Sequence, residues 1–381
     1  MKFRYASIFV LLLLFTACSK QLDGDGGVKR GSVILNILPK VKDVPAVVTK
    51  STQPMKDASI GLFACDHFVG SGNPYVSYGN GMNNIKATLT TDKYSVRNWQ
   101  FRLSTVDSVY PSLILTSKRE GGNKVLADMY AYLPYDEHIT SPEVVPFIVG
   151  LDDITTLSSN QQTNYFRDVM YAEENASPTA NKALDPEAVD EFGVKLETVD
   201  VTFTFKHALS LIKIEMEIQN DKYNHPDGDG NTSYCLDKVI IRKGVNGHLY
   251  RGATMNAITG ALSDMVPADS LVVAREFLNG TKRGGSMPYS TIIPTQPGED
   301  YVDDDYEFSF VLDGVEIASK FYLKREQLRH YDAEDNPTEV FGFLPGYIYT
   351  FKFKYDNFVR LEGISIAEWE VVEEPLYEIE I

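Results

Sequence analysis

The sequence predicts an all-β chain in two halves, and three observations carry that reading. Apolar residues recur with a period of two in segment after segment. An Asp-Gly pair sits between two such runs, where a two-residue hairpin turn needs positive φ. No long stretch combines helical periodicity with helix caps.

The first element lies in "GSVILNILPKVKDVPAVVTKS", residues 31–51. Val33, Leu35 and Ile37 share one face of an extended chain and Ile34 and Leu38 the other, so both faces ask for burial. Basic residues follow at Lys40, Lys42 and Lys50. Further on, "VTFTFKHALSLIKIEMEI" (201–218) has apolar residues at odd positions through Leu211 and at even positions from Ile212. A slip of one residue there predicts a β-bulge or a strand that changes faces. His207 falls on the apolar odd face, which predicts a hydrogen-bonded structural histidine. "YEFSFVLDGVEIASKFYL" gives the hairpin, with Asp313-Gly314 as its turn. "YIYTFKFKYDNF" is the clearest strand: Tyr347, Tyr349, Phe351, Phe353 and Tyr355 on one face, Thr350, Lys352 and Lys354 on the other.

Between the halves, "EENASPTANKALDPEAVDEFGVKLE" is rich in Ala, Pro, Asp and Glu and shows no alternation. It predicts a long surface loop, with one domain over 31–197 and a second over 198–381. About 350 residues beyond the amino-terminal segment suit two domains of ordinary size.

The first 20 residues, "MKFRYASIFVLLLLFTACSK", have a basic start, an apolar run from Ile8 to Phe15, small Thr16 and Ala17, then Cys18. The run is too short for about 30 Å of hydrocarbon, so 1–17 read as a removable signal. A cysteine directly after the small residues resembles the lipobox of bacterial lipoproteins. That resemblance implies lipidation at Cys18, a flexible polar linker over 18–30 and attachment to the outer membrane through lipid.

Composition narrows function. The net charge is −17, which excludes nucleic acid as a partner, since neutralising phosphates needs a basic face. Beyond Cys18 only Cys65 and Cys235 remain, so there is no disulfide framework; one bridge and two separate buried thiols both stay open. No zinc-protease H-E-x-x-H, no G-x-S-x-G nucleophile turn and no Walker-type phosphate loop occurs, and the six histidines are scattered. The expectation is a protein that is not an enzyme and takes no cofactor and no metal. Asp227, Asp229 and Asn231 resemble half of a calcium loop. The other half needs glycine at 232 and glutamate at 238, where Thr232 and Lys238 stand. A solvated acidic turn is expected there, and likewise at Asp303, Asp304 and Asp305. The 22 tyrosines and 20 phenylalanines sit mostly at strand positions and predict core rather than a sugar-binding face.

Several segments, in order, are similar to the fimbrillin family of Bacteroidales lipoproteins: "VLADMYAYLPYDE" (125–137), "DVMYAEENAS" (168–177), "VTFTFKHALSLIKIEM" (201–216), "LDKVIIRKG" (236–244), "FGFLPGYIYTFKFKY" (341–355) and "ISIAEWE" (364–370). The most specific pieces are Lys206-His207-Ala208-Leu209, Pro345-Gly346-Tyr347 and Trp369. The resemblance implies two tandem β-sandwich domains of transthyretin-like topology and a role as a subunit of cell-surface fimbriae. In that family a subunit's first strand plugs its own groove until a trypsin-like protease cuts behind it. The C-terminal segment of another subunit then takes its place. Here the plug is Val33, Ile34, Leu35, Ile37 and Leu38, and the donor is Leu376, Tyr377, Ile379 and Ile381. The chain departs from the family at the cut site: no Arg occurs between Arg30 and Arg97, and Lys50 takes the processing role. The expected partners are other fimbrial subunits, the outer membrane and a host or bacterial surface receptor or glycan. The competing reading is a surface lipoprotein that does not polymerise and that binds glycans or anchors a fimbria. Asp107-Ser108-Val109 and Asp269-Ser270-Leu271 resemble a short O-glycosylation signal of Bacteroidetes.

Overall fold

The structure, a computed structural model, describes residues 32–41, 59–67, 74–77, 80–81, 83–91, 97–102, 109–110, 112–151, 168–172, 182–218, 225–226, 232–233, 236–245, 247–275, 278–279, 282–283, 289–299, 301–312, 314–332, 334, 336–356 and 358–369. It is all-β, with a single 3-10 turn at Arg325–Leu328 among the described residues.

Nine strands form one sheet in the order Val109–Tyr110, Arg97–Arg102, Ile85–Thr91, Ser59–Asp66, Ala127–Leu133, Met170–Ala172, Thr198–His207, Ser32–Val41 and Leu113–Thr116. Its two outermost strands are close in sequence: Tyr110 and Leu113 are three Cα–Cα steps apart, about 11 Å at most. The sheet therefore curls until its ends meet around one core. Val33, Leu35, Ile37, Leu62, Met129 and Phe203 fill that core together.

The second half is a sandwich. One sheet runs Tyr289–Ile292, Ser210–Ile218, Tyr347–Tyr355, Val359–Glu368; the other runs Ser270–Arg275, Leu236–Lys243, Tyr306–Leu312, Val315–Glu316. Their inner faces meet through aromatic rings: Phe308 lies 4.9 Å from Phe351 and Phe310 4.9 Å from Phe353, centroid to centroid. The alternation read from residues 347–355 holds, since Tyr349, Phe351, Phe353 and Tyr355 are buried while Lys352 is exposed. The Asp-Gly hairpin holds as well: Leu312 pairs with Val315, and Gly314 has φ +76°.

The halves are not separate beads. Val145–Ile148, from the first half of the chain, pairs with Tyr250–Met255 of the second. Phe63, Tyr132, Phe147 and Val149 belong to the same buried cluster as Phe308 and Phe351.

Two expectations need correcting. The strand that begins at 198 does not open the second half: Thr198–His207 pairs with Ser32–Val41 and Met170–Ala172, and Val201, Phe203 and Phe205 pack in the first core. The chain changes sheets at Ala208 and Leu209, and the next strand, Ser210–Ile218, belongs to the sandwich. This is also the cause of the phase slip. Ile212 and Ile214 face the sandwich core, while Leu211 faces outward and is buried under Trp369 and Ile348. The slip at 211–212 marks the outer face of a new strand, with the break itself three residues earlier.

The linking stretch is likewise more structured than a surface loop where it is described. Leu184 is buried and exchanges backbone hydrogen bonds with Ala127 in both directions, at 3.0 and 2.8 Å. Asp190 then closes a tight turn by accepting from the Phe192 and Val194 amides at 2.9 and 2.8 Å.

Candidate functional site

The first strand is a keystone. Ser32–Val41 lies parallel to Thr198–His207, from Ile34 opposite Thr198 to Val41 opposite Phe205. On its other side it lies antiparallel to Leu113–Thr116, from Ser32 opposite Thr116 to Leu35 opposite Leu113. Among the described residues, positions 198–204 have no other ladder partner; the neighbouring strand Met170–Ala172 reaches only 205–207. Leu113–Thr116 likewise has the first strand as its one strand neighbour among the described residues. The Ile34 amide donates to the Glu197 carbonyl at 2.8 Å. Since residues along a strand alternate between neighbours, 34, 36 and 38 address the 198–207 side and 33 and 35 the 113–116 side.

Side chains divide by face. Val33, Leu35 and Ile37 are buried at 0%, 2% and 2% exposure. Ile34 is half-buried, and Asn36 is exposed and donates from Nδ2 to Asp200 Oδ1 at 2.9 Å. The expectation that both faces need burial holds for only one of them, because Asn36 opens the other to solvent. Leu38 stands opposite Thr202. Three aliphatic side chains at about 1.5–3 kcal/mol each put roughly 5–9 kcal/mol of burial into this strand, beyond its ladder bonds.

A second cluster lies where the chain passes from one sheet to the other. His207 is buried and its Nδ1 is 2.9 Å from Asp168 Oδ1, the hydrogen-bonded histidine expected from its place in the strand. Its ring stacks on Trp369 with centroids 4.1 Å apart and planes 9° from parallel. The Ala208 amide donates to the Val169 carbonyl at 2.8 Å, and the Gly346 amide to the Leu209 carbonyl at 2.9 Å. The Trp369 amide donates in turn to the Gly346 carbonyl at 2.6 Å. Gly346 has φ +76°, a conformation that suits glycine and lets the backbone turn between Pro345 and Tyr347. Ser210 Oγ donates to the Leu344 carbonyl at 2.7 Å. Thus three short segments that stand out separately in the sequence, 206–209, 345–347 and 369, form one junction. Asp168 and Ser210 complete it and were not singled out by sequence. No spacing signal links positions so far apart; only the fold brings them together.

Chemistry is sparse. No group of three or more His, Cys, Asp or Glu gathers to hold a metal among the described residues. Cys65 is buried, and burial, with the nearby Asp128 charge second, pushes its thiol up to about 12, which leaves it unreactive at neutral pH. Asp305 departs from the expected solvated turn: it is buried, and its Oδ2 accepts from the Val302 amide at 2.7 Å. Asp304 and Asp303 do face solvent, where Asp304 pairs with Lys324 and Asp303 Oδ1 accepts from the Arg325 amide at 2.8 Å. Most described tyrosines are in the cores; Tyr322 and Tyr331 are exposed, in separate strands. Cys18, Lys50, Leu376, Tyr377, Ile379 and Ile381 lie outside the described residues, as do Asp107, Ser108, Asp227, Asp229, Asn231 and Cys235. Ser270 is exposed at the head of its strand, beside the buried Leu271.

No known protein-family profile matches the chain, and a search of curated proteins finds no match. Among solved structures the chain is similar to a candidate cell adhesion protein of Bacteroides uniformis ATCC 8492, at 16% identity and TM-score 0.47, over 89% of this chain and 100% of that one. It is similar to a second, from Bacteroides ovatus ATCC 8483, at 16% identity and TM-score 0.45, over 91% and 100%. It is also similar to the tip fimbrial protein Mfa3 of Porphyromonas gingivalis, at 10% identity and TM-score 0.36, over 89% and 100%.

Proposed function

We propose that this chain is a structural subunit of a cell-surface fimbria, without catalytic activity, that assembles by exchange of its first strand. The observation that carries the reading is the keystone position of Ser32–Val41. Its departure would strip the ladder from 198–204 and from Leu113–Thr116 together and open an apolar slot at Val33, Leu35 and Ile37. Unpaired backbone beside an apolar groove is a template for an incoming strand.

Each part of the cycle has a candidate in the chain. Lipid at Cys18 holds the precursor at the outer membrane. Lys50, nine residues beyond Val41, is the processing site. The donor is the C-terminal segment of another subunit, where Tyr377, Ile379 and Ile381 repeat the spacing of Val33, Leu35 and Ile37. Pro375 precedes the alternating part and cannot donate to a ladder, which limits the donor to Leu376–Ile381. The assembled fimbria serves adhesion through a surface receptor or glycan.

The test is intact mass and N-terminal sequencing of protein recovered from the native cell surface. A chain that begins at Ser51, just behind Lys50, is the expected result. A lipidated chain that begins at Cys18 and retains the first strand would overturn strand release and leave a stationary surface lipoprotein.

A further inference from the structure

Residues 133–138 close one side of a cleft of about 410 Å³, a volume within the range of about 300–1,000 Å³ of small-ligand sites. Its floor is apolar: Leu133, Val145, Phe147 and Val169 line it and all four are buried. The half-buried Tyr135 ring forms a wall, with the Lys86 ammonium 5.4 Å from the ring centroid. Asp136, Glu137 and His138 stand at the rim, where His138 Nδ1 lies 2.9 Å from Asp136 Oδ1 and the His138 amide donates to the same oxygen at 2.9 Å. The stretch is fixed from the interior. Asn84 Nδ2 donates to the Asp136 carbonyl at 2.7 Å, and the Asp136 amide donates to the Tyr132 hydroxyl at 3.2 Å. That hydroxyl donates in turn to Asn84 Oδ1 at 2.8 Å, and Asn84 and Tyr132 are both buried. The Tyr135 amide donates to the Ser59 carbonyl at 2.9 Å. Both backbone polar groups of Asp136 are therefore held by buried side chains, which sets the places of Tyr135 and His138 before a ligand arrives.

We propose that this cleft binds a neutral sugar. A pyranose ring has a face of C–H groups and an edge of hydroxyls. The apolar floor and the Tyr135 ring match the face. Lys86, Asp136, Glu137 and His138, which between them donate and accept hydrogen bonds, match the edge. Two carboxylates against one ammonium and one imidazole give the rim no excess of positive charge, so an anionic sugar finds no electrostatic gain there. A purely apolar ligand would cover the charged rim without replacing its contacts with water, at a cost in desolvation. Use of the cleft in adhesion rests on the functional reading above, whereas the binding itself is a property of the single chain and is measured on it.

The test is saturation-transfer difference NMR on the full chain, titrated with methyl α-D-mannopyranoside, methyl β-D-galactopyranoside and N-acetyl-D-glucosamine, with N-acetylneuraminic acid as the anionic comparison. Saturable transfer to at least one neutral sugar is expected, together with slower hydrogen exchange over residues 133–138 when that sugar is added. Tyr135→Ala removes the wall and is expected to weaken binding about tenfold or more. Tyr135→Phe keeps the ring and is expected to stay near the parent. Tyr322→Ala removes an exposed tyrosine on another strand and is expected to change nothing. The exchange footprint is read on the unaltered chain, so it locates the site even where Tyr135→Ala fails to fold. Absence of saturable transfer to all three neutral sugars would overturn the proposal. So would undiminished binding in a folded Tyr135→Ala, a footprint away from 133–138, or a preference for N-acetylneuraminic acid. None of these readouts depends on Lys50 cleavage or on polymers, so failure of the sugar site and failure of the assembly reading are told apart.

Discussion

Two strands of this chain are paired in parallel with the crossover segment 198–218, and they differ in how firmly they are held. Ser32–Val41 lies beside its first part and Tyr347–Tyr355 beside its second. Tyr347–Tyr355 brings four buried aromatic side chains, Tyr349, Phe351, Phe353 and Tyr355, into a two-sheet core. It is also joined by a short turn to its other neighbour, Val359–Glu368. Ser32–Val41 brings three fully buried aliphatic side chains among the described residues, shows Asn36 to solvent and is separated from the next described strand by residues 42–58. One strand is locked by its packing and its connection. The other completes a sheet through its two ladders and one buried face. A parallel neighbour must come from far away in sequence, and the contrast between aliphatic and aromatic burial is what the proposed exchange of the first strand draws on.

The comparison can be broken most directly in the sandwich. Phe351→Ala, which removes a ring in contact with Phe308, is expected to cost about 3–5 kcal/mol in urea unfolding of the whole second half. Leu35→Ala is expected to fall in the lower part of the range of about 2–5 kcal/mol. A larger loss there than at Phe351 would reverse the order of the two strands. Gly346→Ala meets no atom within 4 Å but must hold φ +76°, so about 1 kcal/mol is expected, read as a shift in thermal midpoint. The smallest effect is a pH slope. Burial holds the His330 imidazole below its ordinary value, beside the Tyr349 hydroxyl at 2.9 Å and the Gly342 carbonyl at 3.1 Å. The unfolded chain therefore takes up a proton near pH 6.5 that the folded chain refuses, and stability falls as pH drops through 6.5. His330→Gln is expected to flatten this part of the stability profile relative to the parent, and identical slopes would refute the assignment.

Deletion of residues 371–381 sharpens the functional side of the same contrast. The monomer is expected to keep its unfolding midpoint and to lose the ability to extend a polymer, scored by electron microscopy. Polymers that persist after the deletion would rule out a C-terminal donor.

Strand identity was legible because burial on one face writes a period of two into the residues. That is why 347–355 and the Asp-Gly hairpin could be read directly. The first strand was legible for the same reason, although its second face misled: Ile34 suggested full burial, yet it is half-buried beside the exposed Asn36. Thr198–His207 was recognisable as a strand but was assigned to the wrong half, because alternation tells which face is buried and not which sheet the strand joins. The phase slip at 211–212 contained the correct clue. It records a change of sheet, a distinction that one-dimensional periodicity cannot make from a bulge.

By itself the sequence determined the all-β class, the alternating faces, the acidic charge and the turn chemistry at Asp313-Gly314, since each depends on neighbours within a few residues. Tertiary structure alone decided that residues 32–41 and 198–207 lie side by side and that His207, Gly346 and Trp369 meet. Parallel pairing and ring stacking join residues more than a hundred positions apart, through contacts that closure of the sheets creates.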